Sequence, residues 1–283
     1  MTWMGKYLRL LRLQDQHFQF GCALAGGVYL SGHYVWIITW AIATTLISLA
    51  SFITNELTDR EDTDRFSWNK VHLRKGDKLN STVVVLMWVV FVVNGLWLSW
   101  QLGVFIWGLA MLLIGELYSF KPIRFKARPG FDVLAQLTVW WWIPFIVPVV
   151  HFSAVGSVFW IFVAVMSLLI WGFFYPYQLS DFSADEKTGL GSTHIRLGMR
   201  QSLVFGLIFV AIGEFSYFYL RMWSGQEWSL VFALICLVSL VCYLFWLGMN
   251  KRANQETSMQ RYVGIMKPVS WLMVPYVIWW LVK

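Results

Sequence analysis

Tyr177-Gln-Leu-Ser-Asp181-Phe-Ser-Ala-Asp185-Glu-Lys-Thr-Gly189 closes an apolar run that begins near residue 154. A bilayer-spanning helix needs roughly 17–25 largely apolar residues, and this run has them. Carboxylates at such a boundary are costly unless something positive meets them. A second acidic cluster, Asn55-Glu-Leu-Thr-Asp59-Arg-Glu-Asp62-Thr-Asp64, ends another apolar run earlier in the chain. Two such clusters point to a shared ligand: divalent cations, with a diphosphate held by them.

Composition agrees. The 283 residues are 58% hydrophobic and 13% charged, with a mean hydropathy of +0.60. Soluble domains average about 25% charged residues, so the chain reads as an all-α polytopic membrane protein. Its 19 Trp exceed what interface belts need; packing and belts account for most single Trp residues, and the excess could line a pocket. Cys22, Cys236 and Cys242 lie in apolar runs without metal or redox spacing and read as small buried hydrophobes. The N-terminal residues lack the pattern of a cleaved signal peptide.

Nine stretches are candidate spans: 17–32, 34–55, 81–99, 102–119, 132–150, 154–177, 202–221, 228–248 and 264–282. With nine, every Lys and Arg falls at the N-terminus or at an even-numbered loop, Lys267 just inside the last stretch at its even-loop end included, except Arg221 and Lys283 on the other side. The positive-inside rule then makes those loops cytoplasmic and places the C-terminus outside. The formal charge of +7 is explained by this topology, with no nucleic acid required. Nearly every acidic residue is on the same side, so the expectation is one domain over 1–283, a bundle with a cytoplasmic cap.

The turn of about 100° per helical residue puts Asn55, Asp59 and Asp62 on one face, with Glu56 marginal and Asp64 opposite. In the second cluster Asp181 and Asp185 are an i, i+4 pair, and Tyr177 precedes them on the same stripe. Stacked carboxylates repel unless a cation lies between them. Mg2+ prefers hard oxygens and commonly bridges to substrate phosphate. Each cluster alone could equally be a solvated helix end with ion pairs. The fourth loop supplies the complement: Leu117-Tyr118-Ser-Phe-Lys121-Pro-Ile-Arg124-Phe-Lys126-Ala-Arg128 alternates cations with apolar residues, an anion site that the positive-inside effect alone does not require.

These residues resemble the UbiA superfamily of intramembrane prenyltransferases. Its first motif, Asn-Asp-x-x-Asp-x-x-x-Asp, is matched at Asn55 and Asp59; Glu56 stands where Asp is usual, and Thr63 takes the last position between Asp62 and Asp64. Its second, Tyr-x-x-x-Asp-x-x-x-Asp-x-x-x-Gly-x-x-Ser-Thr, is matched without a gap by Tyr177, Asp181, Asp185, Gly189, Ser192 and Thr193. The Tyr-Ser-x-x-Pro-x-Arg-x-Lys segment at 118–126 is similar to the branches acting on carotenoids and related lipids.

The resemblance implies a bundle around a central lipid-facing cavity, with Mg2+ under the cap holding the diphosphate of an isoprenyl donor. Asn55, Asp59, Asp62, Asp181 and Asp185 are the metal candidates. Lys121, Arg124 and Lys126 are the diphosphate candidates, joined by Lys70, Arg74, Tyr118, Tyr177 and Arg12, the last resembling the family's N-terminal basic position. Asp59, Asp181, Asp185 and Lys121 are the expected catalytic groups. The expected activity is transfer of an isoprenyl group to a hydrophobic acceptor in the membrane: a carotenoid, a quinone precursor or another lipid. A membrane terpene cyclase is the second enzymatic reading. A transporter is disfavoured because the carboxylates gather at one face rather than at the midplane. Glu116 is an expected partner for Lys121, Glu214 a structural hydrogen-bonding group, and His194 a surface or capping residue.

Overall fold

The computed structural model describes residues 3–27, 33–60, 66, 78–223, 230–249 and 251–271. All regular structure among them is helical: α1 (Trp3–Leu10), α2 (His17–Gly27), α3 (Tyr34–Asp59), α4 (Ser81–Gln101), α5 (Phe105–Ser119), α6 (Phe131–Leu137), α7 (Ile143–Phe152), α8 (Ser157–Leu179), α9 (Phe182–Lys187), α10 (Thr193–Leu197), α11 (Met199–Trp223), α12 (Leu230–Gly248) and α13 (Arg252–Trp271). A π turn at Thr138–Trp142 joins α6 to α7. Among the described residues five helices are long and apolar enough to cross a membrane: Tyr34–Asp59, Ser81–Gln101, Phe131–Phe152, Ser157–Leu179 and Met199–Tyr219.

Two expectations shift. The last described helix starts at Arg252, before the expected span 264–282, and its first turns are polar. Asp181 does not share a helical stripe with Tyr177 and Asp185. Helix α8 stops at Leu179, a turn carries Ser180 and Asp181, and α9 starts at Phe182. The stop is local: Ser180 Oγ donates to the Tyr177 carbonyl at 2.7 Å and closes the last turn on itself.

The chain forms two compact units. The first comprises Met1–Ala154, Ser183–Ser192 and Met266–Lys283. Its centre is α3, which packs against α2, α4, α5 and α7. Small residues let these helices approach. A Cβ on Gly95 would lie 2.7 Å from Ile47 Cγ1, and one on Gly115 would lie 3.0 Å from Ser51 Cβ. Trp40, Ala41, Ala43 and Ile47 fill the core between them. Helix α4 buries Val84, Val92 and Gly95 and leaves Val85, Val89, Val93 and Trp97 exposed, as a lipid-facing helix would.

The second unit comprises Val155–Phe182 and Thr193–Ile265. Helices α8 and α11 form its main contact. Here too glycines set the spacing: a Cβ on Gly213 would meet Leu169 Cδ2 at 2.9 Å. Gln260 Nε2 donates to the Ser180 carbonyl at 2.9 Å, tying α13 to the turn that carries Asp181. Gln255 Nε2 donates to the Trp246 and Met249 carbonyls at 2.9 and 3.1 Å, satisfying the open end of α12.

Each unit answers a proline in the same way. Pro148 inside α7 has no N–H, so the carbonyl four residues back, Pro144, loses its helical donor. The Trp40 indole Nε1 donates to that carbonyl at 3.1 Å. Pro176 inside α8 likewise strands the Gly172 carbonyl. The Tyr243 hydroxyl donates to it at 2.5 Å. An unsatisfied backbone group in an apolar surround costs free energy, so two buried aromatics are fixed by polar need as well as by packing. Cys22 is buried as expected, whereas Cys242 is half-buried.

Replacing Trp40 by Phe should lower stability by about 1–3 kcal/mol by leaving the Pro144 carbonyl unpaired. In a Pro148→Ala background the new backbone N–H can take over, and the same substitution should cost clearly less. Unfolding of the single and double variants in detergent measures this coupling; equal losses in both backgrounds would refute it.

Candidate functional site

Helix α3 ends with Phe52, Asn55, Glu56 and Asp59, spaced i, i+3, i+4 and i+7, so the four share one face. Glu56 and Asp59 are buried, and Asn55 is half-buried. Each polar group on this stripe is met by a group from elsewhere in the first unit.

Glu56 forms an ion pair with Arg12. Arg12 has a left-handed backbone, φ 40° and ψ 46°, at the start of the 3-10 turn Leu13–Asp15. Its guanidinium carbon lies 5.7 Å from the centre of the Phe52 ring. Helical spacing alone leaves Glu56 marginal to the ligand face; in the structure it is a fully buried partner of Arg12. Phe52 also meets Trp140 of the π turn, with ring centres 5.9 Å apart.

Asp59 and Asn55 are met by the fourth loop. Helix α5 ends at Ser119, whose Oγ donates to Asn55 Oδ1 at 2.6 Å. The chain turns through Arg124, again left-handed with φ 39°, into the 3-10 turn Phe125–Ala127. That turn buries Lys126. Its Nζ bonds Asp59 Oδ1 and lies 3.3 Å from Asn55 Oδ1. Arg124 Nη2 lies 3.4 Å from the same Asp59 oxygen. The four loop cations therefore part company: Lys126 and Arg124 enter the site, while Lys121 and Arg128 are exposed. Arg128 Nη2 caps the Pro122 carbonyl at 3.4 Å. Burial lowers the Lys126 ammonium to about 7, the nearby Asp185 carboxylate opposes this, Arg12 adds to the fall and Glu56 resists it.

Asp185 comes from the second motif, and the motif's glycine explains its placement. Leu190 N–H bonds the Asp185 carbonyl at 3.0 Å and Gly189 N–H bonds that of Glu186 at 3.1 Å. Gly189 has φ +67°. This is the hydrogen-bond pair of a Schellman ending, with glycine at the left-handed position. The chain then passes Ala127 so closely that a Cβ on Gly191 would lie 2.9 Å from the Ala127 carbonyl oxygen. Gly189 ends the Asp185 helix, and the backbone at Gly191 lies against Ala127 of the basic loop.

Other expected residues fall as follows. Asp181 and Tyr177 are half-buried in the second unit. Tyr118 OH accepts from Gln136 Nε2 at 2.5 Å. Glu116 accepts from Thr54 Oγ1 at 2.7 Å and Trp88 Nε1 at 3.1 Å, and the anticipated partner Lys121 is not among them. His194 is buried rather than a surface group; its ring stands edge-on to Phe182 at 6.1 Å. Its carbonyl accepts from Ser202 Oγ at 3.3 Å. Asp62, Lys70 and Arg74 lie outside the described residues. Ser119 and Gly191 were missed by sequence reasoning. The Tyr118-Ser119 dipeptide was a signal for the first; a glycine needed for close approach looks like any other.

Among the described residues no group of three or more His, Cys, Asp and Glu side chains could hold a metal by itself. Mg2+, however, is commonly bound by one or two carboxylates plus substrate phosphates. Asn55 Oδ1 and Asp59 Oδ1 are hard oxygens already facing one cation, the Lys126 ammonium. The donor set fits such an ion.

Residues 18–267 match the UbiA prenyltransferase family. The chain belongs to that family and is an integral membrane protein. Among curated proteins no relative matches. Among solved structures, a UbiA homologue from Archaeoglobus fulgidus bound to DMAPP and Mg2+ superposes with a TM-score of 0.66 at 21% identity, over 96% of this chain and 99% of that one. The same homologue bound to GPP and Mg2+ gives the same figures, 0.66 and 21%. A digeranylgeranylglyceryl phosphate synthase superposes with a TM-score of 0.65 at 16% identity, over 99% of each chain. At these identities the likeness is one of fold.

Glu56→Ala should strand the Arg12 guanidinium in a buried site and cost about 3–5 kcal/mol. Removing both partners together, as Arg12→Met with Glu56→Leu, should cost less than the single change. Thermal unfolding in detergent compares them, and a double variant weaker than Glu56→Ala would overturn the pairing.

Proposed function

We propose that this protein transfers an isoprenyl group from an allylic isoprenyl diphosphate to a hydrophobic acceptor within the membrane, with Mg2+ as cofactor. The observation that carries the reading is the convergence of Asn55 and Asp59 oxygens with Lys126 and Arg124 at the end of α3. Opposite charges at one buried point are the equipment for a metal and a diphosphate together. That UbiA homologues are solved with DMAPP or GPP and Mg2+ supports the same donor class here.

In this reading Asn55, Asp59 and Asp185 hold the metal, with Asp181 and Asp62 as further ligands. Lys126 and Arg124 bind diphosphate, and Arg12, Lys121, Lys70, Arg74, Tyr118 and Tyr177 are its further candidates. Mg2+, when bound, neutralises charge on the leaving diphosphate. The cationic side chains of the loop add to this, and their positions are fixed before reaction. The donor's C1–O bond breaks, and the bonding electrons leave with diphosphate. An allylic carbocation remains. Aromatic faces stabilise it without trapping it, and a dry surround keeps water away. An electron-rich carbon of the acceptor attacks, and a proton is lost. The acceptor is a carotenoid, a quinone precursor or another lipid. The expected frame is nine spans around a central cavity, with the N-terminus and the site on the cytoplasmic side.

Purified protein incubated with labelled allylic diphosphates, Mg2+ and candidate acceptors should release diphosphate and form a prenylated lipid. Asp59→Ala and Asp181→Ala should each lower the rate by about 100-fold or more, and chelation of Mg2+ should abolish it. Unchanged turnover in either variant would sink the assignment.

A further inference from the structure

We propose that the cation site at the end of α3 admits the divalent ion together with diphosphate and is closed to the free ion, because Lys126 holds the ion's place. This rests on the transferase reading above. Lys126 Nζ bonds Asp59 Oδ1 and lies 3.3 Å from Asn55 Oδ1, the two first-motif oxygens assigned to the metal. Arg124 Nη2 comes within 3.4 Å of the same Asp59 oxygen. Ser119 Oγ donates to Asn55 Oδ1 at 2.6 Å. The contact with the Asp59 carboxylate favours the protonated Lys126, so the resting site is already supplied with positive charge from it and from Arg124.

A free divalent ion would have to displace the Lys126 ammonium and remain beside both it and Arg124. Lys126 is 5% exposed and Asp59 7%. Little water is present to screen the repulsion, and like charges at contact distance in such a medium repel strongly. A metal–diphosphate complex reverses the balance. Its oxygens give Lys126 and Arg124 new acceptors at the moment the metal takes Asn55 and Asp59. The exchange is short-range, since Lys126 sits on a single 3-10 turn, Phe125–Ala127, rather than within a long helix. That turn is backed by the Gly191 segment, so the lysine can move while its backbone is held. Lys126 is then a positioning residue with two states, one on the ligand oxygens and one on diphosphate.

The test uses the full chain in detergent, Mn2+ as a spectroscopic substitute for Mg2+, and inorganic diphosphate. Protein-bound Mn2+ is measured by electron paramagnetic resonance after equilibrium dialysis. The wild type should bind Mn2+ at least ten-fold more tightly with diphosphate than without. Lys126→Gln, or Lys126→Met if the first variant does not fold, should raise affinity for free Mn2+ ten-fold or more and shrink the diphosphate effect. Arg128→Gln removes an equal charge from the exposed part of the same loop and should change free-ion affinity less than two-fold. A Lys126 variant within two-fold of wild type for free Mn2+ overturns the proposal, as does an Arg128 variant with the same gain. A wild type that retains no Mn2+ even with diphosphate would instead overturn the transferase reading itself.

Discussion

A carboxylate withdrawn from water must be met by positive charge, and the site is organised around that need at Asp59. The carboxylate sits at the end of a membrane-length helix, where the chain cannot hydrate it fully. Lys126 answers it, and the fourth loop takes its shape accordingly. Arg124 adopts a left-handed backbone that non-glycine residues rarely use, and the next three residues form the tight turn that buries the lysine. Such a conformation persists when surrounding contacts over-determine it. Here they do: Arg124 itself reaches Asp59, and Phe125 stacks on Phe131 with ring centres 5.5 Å apart.

The same logic governs the uncharged parts of the protein. A proline inside a buried helix removes a donor, and the freed carbonyl must find another. Trp40 and Tyr243 supply it in their respective units. The Tyr243 solution has a further requirement. A Cβ on Gly206 would come 2.6 Å from the Tyr243 ring at Cε1, so the tyrosine reaches the Gly172 carbonyl only past a glycine. Proline, aromatic donor and glycine thus form one linked set. Helix spacing and helix irregularity are solved together, which is why several of the many aromatics have fixed polar duties.

Hydropathy made the spanning segments legible, because length and apolar content are enforced by the bilayer itself. Expected stretches such as 34–55, 81–99 and 132–150 coincide with Tyr34–Asp59, Ser81–Gln101 and Phe131–Phe152. Charge patterning marked Asn55, Asp59 and the basic loop, since expensive groups stand out in an apolar chain. Periodicity failed where the helix did. Treating Tyr177, Asp181 and Asp185 as one stripe assumed that α8 continues, but Ser180 ends it. It failed again among the loop cations. Lys121, Arg124, Lys126 and Arg128 are alike in composition, and only a single 3-10 turn decides which of them faces inward. Glu116 shows a third limit: a membrane carboxylate invites a cationic partner, yet neutral donors from Thr54 and Trp88 satisfy it.

The departure at position 56 gains meaning from this geometry. The family pattern has Asp after the asparagine, and this chain has Glu. The longer side chain spans the distance to Arg12, and the pair is sealed from solvent. A buried ion pair adds little net stability, but breaking it is costly, so it acts chiefly to fix where its members lie. Here it fixes the start of the 3-10 turn Leu13–Asp15 against the end of α3, with the guanidinium against Phe52. The acidic residues of the first motif thereby divide. Glu56 is committed to holding the N-terminal segment, while Asp59 faces the basic loop and Lys126, on the side that Asp185 also influences. An electrostatic pattern that reads as one acidic cluster in the sequence holds, among its described residues, two ion pairings with different partners: Glu56 with Arg12, and Asp59 with Lys126 and Arg124.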